Sequence, residues 1–166
     1  MNRRAKTKEI TLSPSHLQAI GKVASEWAAL EFSFQWAMVK VSQVPYDKVV
    51  AFTSPLSMNG WLDILTNLMR LQTPDADLPK PISTLFEKIR EAQKSRNDIV
   101  HTVWIIQFPK DWGKDRLYAA DKSYGITFPK KMKKLIGHKA YTAAEIRAIA
   151  SEIRQLADQF RAIFLP

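Results

Sequence analysis

A chain of 166 residues is long enough for one domain with one hydrophobic core, and the absence of cysteine excludes disulfides and thiolate metal sites. No apolar run reaches the roughly 18 residues that a membrane span needs, and polar residues directly after the basic start argue against a secretion signal. We therefore expect a cytoplasmic protein. The net charge of +9 comes from segments 1–9 and 110–139, because the remaining residues include twelve basic and twelve acidic side chains.

The two basic segments indicate a polyanionic partner. Residues 1–9 contribute a charge of +3 and residues 110–139 a charge of +6. Clustered Lys and Arg bind phosphate because they release the counterions condensed on it. A solvated basic surface without a partner is the alternative.

The first predicted helix begins at Ser13-Pro14, since Ser is a favoured N-cap and Pro is tolerated at the first helical position. Apolar residues then recur at helical spacing until about Gln43, and Pro45 ends the pattern.

Two more long helices are predicted, after a short helical piece around residues 49–52. Ser54-Pro55 repeats the start signal and predicts the second long helix, which the polar segment 73–77 ends. Pro79-Lys80-Pro81 precedes the third, whose apolar stripe continues to Val100.

The pattern changes to short strands near residue 102. Segment 103–108 is rich in β-branched and aromatic residues, and 116–119 and 125–128 are predicted as two further strands around a turn at 121–124. Thr142-Ala143-Ala144-Glu145 is a capping box and predicts the start of the last helix.

These elements predict a mainly α protein, an antiparallel helical bundle with a small β-meander inserted before the last helix. Residues 1–12 are expected to form a basic N-terminal extension, and residues 13–166 a single helical domain in which 102–128 is the β insertion.

Candidate catalytic residues lie near the end of the third long helix. Asn97 and His101 are four residues apart and share a helix face, and Arg96 is the neighbour of Asn97. Arg96 also lies on the line through Ile82 and Ile89, so a charged side chain occupies an apolar stripe.

An arginine and a histidine that meet at one phosphate have the chemistry for RNA cleavage. His transfers protons near neutral pH, and Arg offers a fixed fork of donors to phosphate. Attack by the ribose 2′-OH needs no further nucleophile, and Asn97 could orient the imidazole or bind the phosphate. The sequence lacks the clustered Asp, Glu and His of a metal site.

The string Arg96-Asn97-Asp98-Ile99-Val100-His101 resembles the R-x4-6-H motif of the HEPN superfamily, including its polar residue after the Arg. Trp27-Ala28-Ala29-Leu30-Glu31 resembles the first helix of small prokaryotic members. The resemblance covers residues 14–101 and 141–164, and excludes the β insertion and the basic start.

The resemblance implies a homodimer with the two motif helices facing each other across a cleft. It implies a metal-independent endoribonuclease without a cofactor, in a toxin–antitoxin or host-defence setting, with an antitoxin protein as a further partner. Matched by residue, Arg96, Asn97 and His101 are then the catalytic set. Some members of the superfamily have lost activity and only bind.

Structural alternatives exist for each candidate. Arg96 and His101 could stabilise the C-terminal end of their helix, and His101 could be a core histidine against Trp104. Glu31 lies on the apolar stripe of the first helix, where it could pair with Arg96 and orient the site, or reach water at the edge of the stripe.

A second group of candidates would bind RNA. Lys130, Lys131, Lys133 and Lys134 could hold its backbone, and aromatic rings could stack on bases, namely Tyr124 and Phe128. A solvated charged linker is the alternative. Besides the nuclease, the sequence therefore allows a non-catalytic nucleic-acid-binding or adaptor protein, and a purely structural interaction module.

Overall fold

The computed structural model describes residues 12–73, 77–101, 103–105, 122–126 and 138–166. These residues form five helices and three strands in the order α1 Pro14–Ser42, α2 Tyr46–Thr53, α3 Met58–Gln72, α4 Lys80–Val100, β1 Val103–Ile105, β2 Lys122–Ile126, β3 His138–Thr142 and α5 Ala143–Phe164. The predicted mainly α bundle is confirmed. The basic residues 1–9, the predicted strand 116–119 and the predicted RNA-binding lysines (130, 131, 133 and 134) lie outside the described residues.

Helix α1 has the predicted bounds. The Ser13 hydroxyl accepts a hydrogen bond of 3.3 Å from the His16 backbone N–H, so it satisfies one of the free donors at the helix start. At the other end Gln43 adopts a left-handed conformation with φ 59°, and its N–H donates to the Val39 carbonyl.

Helix α3 begins later than predicted, with Ser57 as its N-cap. Ser54-Pro55 does not start it, because the Ser54 N–H still donates to the Val50 carbonyl at 2.9 Å and so completes the last turn of α2. The Trp61 indole N–H then donates to the Thr53 carbonyl at 2.9 Å, which fixes the start of α3 against the end of α2.

The starts of α4 and α5 agree with the sequence signals. Helix α4 follows Pro79 and has Pro81 in its first turn, where a missing N–H costs little. The capping box of α5 is present, since the Glu145 N–H donates to the Thr142 hydroxyl at 3.1 Å and the Thr142 N–H donates to the Glu145 carboxylate at 2.6 Å.

Helices α1 and α5 form the most extensive helix pair and run in the same direction. Arg147, near the start of α5, donates to the Ser15 hydroxyl near the start of α1 at 3.1 Å. In the last turn of α5, Arg161 lies 3.5 Å from the Ser33 hydroxyl in the later part of α1. The two helices are therefore parallel and stay in contact along most of the length of α5.

Helix α4 runs antiparallel to this pair and closes the core. Its beginning packs at the later part of α1, where Phe86 lies 6.3 Å from Phe34, while its end reaches Trp27 near the middle of α1. Phe34 also stacks on Phe160 of α5 at 4.0 Å, so the three helices meet around one fully buried ring.

Three short strands precede α5, with β1, β2 and β3 adjacent and antiparallel in chain order. Their bounds differ from the prediction. Residues 122–124, predicted within a turn, belong to β2, and the sheet continues beyond residue 128 to a third strand that ends at Thr142. That strand, His-Lys-Ala-Tyr-Thr, holds few β-formers, so pairing with β2 rather than local propensity places it. Among the described helices, none has a stretch apolar and long enough to cross a bilayer.

Candidate active site

Arg96 occupies a core-facing position of α4. The stripe on which it lies consists otherwise of buried apolar side chains, including Ile89 one heptad before it and Ile99 three residues after it. Arg96 itself is half-buried. Arg96 therefore occupies a position in the apolar stripe of α4, as the sequence predicted.

The three residues of the predicted catalytic set meet through one atom. The Arg96 Nη1 donates to the Asn97 Oδ1 at 3.0 Å and lies 2.8 Å from the His101 Nε2. An arginine cannot accept a hydrogen bond, so His101 Nε2 is the acceptor in this contact. The guanidinium and the imidazole therefore lie side by side at the end of α4. We call these three residues the Arg96 site.

Trp27 supports the guanidinium from the opposite helix. The Cζ atom of Arg96 lies 5.9 Å from the centroid of the Trp27 ring, within the range of a cation–π contact. Trp27 is only 3% exposed, so its ring is fixed by the core. The sequence pattern did not place this tryptophan at the site. An arginine that faces inward must pack against another side chain. The position of Arg96 in the apolar stripe therefore indicated that a partner would lie on the facing helix.

Glu31 completes the chain of contacts. Its Oε1 accepts a hydrogen bond of 2.8 Å from the Trp27 indole N–H. Of the two predicted alternatives, a pair with Arg96 and a carboxylate that reaches water, neither describes this contact. The half-buried carboxylate holds the ring on which Arg96 lies, so it acts on Arg96 through Trp27.

The packing of Arg96 has an energetic cost. Its Nε is buried and has no hydrogen-bond partner within the residues that the structure describes. An unsatisfied buried donor typically costs about 1–3 kcal/mol. An apolar side chain would avoid this cost, so stability alone does not explain an arginine here.

His101 is accessible from solvent. It is exposed, and it forms the C-cap of α4, where its backbone N–H donates to the Asn97 carbonyl at 3.1 Å. This exposure argues against the core-histidine alternative. It also means that a dissolved ligand can reach the imidazole, while Trp27 and the core hold the guanidinium beside it from below.

Other predicted contacts of the site fall outside the described side chains. The side chains of Trp104, Tyr124 and Phe128 are not among them, nor are the four lysines predicted to bind RNA. Across the described ranges, the structure places no group of three or more His, Cys, Asp or Glu side chains that could hold a metal ion.

Comparisons with known proteins give no independent indication of what the site does. No protein-family model, curated protein or solved structure matches this chain. The evidence for a function is therefore the arrangement of Arg96, Asn97 and His101, and the resemblance of their spacing to a known motif.

Proposed function

We propose that this protein is a metal-independent endoribonuclease whose catalytic residues are Arg96, Asn97 and His101. The observation that carries the proposal is the 2.8 Å contact between the Arg96 guanidinium and Nε2 of an exposed His101. A permanent cation and a side chain able to transfer protons, at one accessible point, are the two groups that phosphodiester cleavage by the 2′-OH requires.

In the proposed reaction, His101 Nε2 takes the proton of a ribose 2′-OH. The 2′-oxygen forms a bond to the adjacent phosphorus, and the bond from phosphorus to the 5′-oxygen breaks. The leaving oxygen takes a proton from imidazolium or from water. The products are a 2′,3′-cyclic phosphate and a 5′-hydroxyl, so one proton and one bond are exchanged without a cofactor.

Arg96 would stabilise the charge that develops on the phosphate. Both protons of its Nη1 are engaged by Asn97 and His101 in this state, which leaves the Nη2 donors for a phosphate oxygen. Asn97 would hold the guanidinium in place while His101 turns toward the sugar. Trp27 and Glu31 would be positioning residues that act through Arg96.

The resemblance to HEPN proteins extends the proposal to the setting of the enzyme. We propose a homodimer that brings two Arg96 sites together, in a cytoplasmic toxin or host-defence system with an antitoxin protein as partner. The predicted RNA-binding lysines would guide the substrate to the site by their charge.

A non-catalytic nucleic-acid-binding protein is the second candidate. The basic segments 1–9 and 110–139 favour it, because they would attract RNA whether or not His101 is chemically competent. The two candidates predict different results. The binding protein would leave RNA intact, and substitution of His101 would not alter its affinity for RNA.

The test is cleavage of a labelled RNA by the purified full-length protein in the presence of EDTA. We expect cleavage in EDTA, products with a cyclic phosphate, and a loss of at least 100-fold in rate for His101→Ala. Lys94→Ala, on the exposed outward side of the same helix, is the matched control and should cleave like the unmodified protein. Intact RNA in every reaction, or equal cleavage by the His101 variant, would contradict the proposal.

A further inference from the structure

Helix α5 carries three arginines at intervals of seven residues, namely Arg147, Arg154 and Arg161. This spacing puts all three on one side of the helix. Each extends across to α1: Arg147 to Ser15 at 3.1 Å, Arg154 to Glu26 at 3.7 Å, and Arg161 to Ser33 at 3.5 Å. We call this surface the α1–α5 seam.

Two of the three arginines extend to neutral serines on α1. Carboxylates in place of these serines would hold the two helices together equally well, and they would also neutralise the positive charge of the arginines. Arg161 also pairs with Asp158 on its own helix. The side chains of Arg154 and Arg161 remain 63% and 42% exposed, and those of Glu26 and Asp158 are 16% and 60% exposed. With three arginines against these two carboxylates, the seam has an excess of positive charge.

Two lysines of α1 extend the positive charge along the seam. Lys22 precedes Glu26 by four residues and Lys40 follows Ser33 by seven, so both lie on the seam side of α1, and both are exposed. The part of the chain outside segments 1–9 and 110–139 is neutral as a whole. The seam nevertheless holds five of its twelve basic residues and only two of its twelve acidic residues, Glu26 and Asp158.

The outward face of α4 shows that this separation of charge is particular to the seam. Its lysines, at positions 80, 88 and 94, alternate with the acidic residues at 87, 91 and 98. The side chain of Arg90 is 39% exposed and pairs with Asp63 of α3. With this pair included, positive and negative side chains are equal in number on that face, as in an ordinary solvated helix surface.

The two basic segments of the sequence join the structure at one end of the seam. Residues 1–9 lead directly to Ser13, whose hydroxyl bonds with His16, and residues 110–139 lead to Tyr141. The His16 Nε2 lies 3.4 Å from the Tyr141 carbonyl, so these two entry points are adjacent. Ser15 and Arg147, the first pair of the seam, immediately follow them.

We infer that the α1–α5 seam binds the phosphate backbone of an RNA strand. From Arg147 to Arg161 the seam is about 21 Å long, given the rise of about 1.5 Å per helical residue. That length admits several phosphates of a single strand. Arginines with unused donors in a fixed row bind phosphate through charge and hydrogen bonds together.

The inference rests on the proposed function only for the identity of the nucleic acid as RNA. Arg96 packs on the side of α1 that carries Trp27 and Glu31, whereas the seam follows Glu26 and Ser33 on another side of that helix. Binding at the seam can therefore be measured without cleavage.

The test uses the full-length protein with His101→Ala, and a fluorescein-labelled 20-nucleotide single-stranded RNA of mixed sequence. Fluorescence anisotropy gives the affinity over a series of salt concentrations. For Arg147→Gln, Arg154→Gln and Arg161→Gln combined, we expect an affinity at least tenfold lower, and a salt slope reduced by about 2, since each phosphate contact contributes about 0.7. The same DNA sequence serves to separate RNA from a general polyanion.

The matched control combines Lys80→Gln, Lys88→Gln and Lys94→Gln, which removes the same charge from the mixed face of α4. We expect it to change the affinity less than twofold. An equal loss in both triple variants would show an effect of net charge alone, and no loss in the arginine variant would show that RNA does not bind at the seam. Either outcome overturns the inference.

A second variant protects the test against misfolding. Lys22→Gln with Lys40→Gln removes seam charge without removing any of the hydrogen bonds or ion pairs between α1 and α5 described above. We expect an affinity three- to tenfold lower, and an unchanged affinity overturns the inference even if the arginine triple variant fails to fold. If the unmodified protein cleaves RNA but the seam variants keep their RNA affinity, only this inference is contradicted. If the seam variants lose RNA affinity but the unmodified protein does not cleave RNA, only the nuclease proposal is contradicted.

Discussion

The Arg96 site and the α1–α5 seam use the same side chain in opposite environments. Arg96 is half-buried in an apolar stripe, lies on a fixed indole ring, and has both Nη1 protons engaged. The arginines of the seam lie at the surface, where Arg147 contacts Ser15, Arg154 pairs with Glu26, and Arg161 contacts both Ser33 and Asp158. One environment fixes the direction of the guanidinium donors, and the other mainly supplies charge.

Because of this difference, the two regions should respond differently when their arginines are replaced. Where geometry matters, a lysine cannot replace an arginine, since an ammonium group has no planar fork. Where only the positive charge matters, a lysine can replace an arginine. The buried Nε of Arg96 further indicates that its position costs stability, whereas exposed pairs at the seam contribute little in either direction.

The largest expected difference is in the response to a conservative substitution. We expect Arg96→Lys to lower kcat for RNA cleavage by at least 100-fold, because the donors of an ammonium group all lie on one nitrogen and lack the planar fork that directs Nη1 to Asn97 and His101 and Nη2 to phosphate. Arg154→Lys should leave both kcat and RNA affinity within twofold. Steady-state kinetics of the two variants measures this, and equal effects would remove the distinction between the two regions.

Trp27 should be the residue that makes Arg96 different. Trp27→Phe removes the indole N–H that bonds Glu31 and weakens the cation–π contact, so we expect kcat to fall roughly fivefold and stability by about 1–2 kcal/mol. Trp61→Phe is the matched control, since it also loses one indole hydrogen bond in the core, to Thr53. Denaturant unfolding should show a similar loss for both, with kcat unchanged in the control. Loss of activity in both variants would mean that stability, not positioning, is being measured.

The smallest effect concerns stability alone. Arg96→Met removes the unsatisfied Nε and retains apolar packing, so we expect the free energy of unfolding to be unchanged or higher by up to about 1 kcal/mol. Arg161→Met, at the exposed seam, should change it by no more than about 0.5 kcal/mol. Urea titration distinguishes these values. A marked destabilisation by Arg96→Met would indicate that Arg96 is there for the fold.

Much of the fold was predictable because its signals are local. Ser13-Pro14, the capping box at Thr142 and the apolar stripes fixed α1, α4 and α5 within a residue or two. The start of α3 was wrong because Ser54-Pro55 is a start signal that also suits the end of the preceding helix. The strand His138–Thr142 was missed because tertiary pairing, not propensity, places it.

The site was predictable only as far as one helix extends. The spacing of Arg96, Asn97 and His101 follows from helical geometry, and the structure brings the three together. Trp27 and the α1–α5 seam depend on which helices become neighbours and in which direction they run. Helical periodicity determines neither property. The sequence therefore allowed Glu31 to pair with Arg96 or to reach water, and did not reveal the Trp27 ring that connects the two residues.

A double-mutant cycle of Arg96→Lys and His101→Ala tests most directly whether the two residues act on the same phosphate. Cleavage rates in EDTA are measured for the unmodified protein, each single variant and the combination. Because residues that act as one unit are not additive, we predict that the combined variant cleaves as slowly as the slower single variant, and no slower. Rate losses that multiply in the double variant would contradict a shared phosphate between Arg96 and His101.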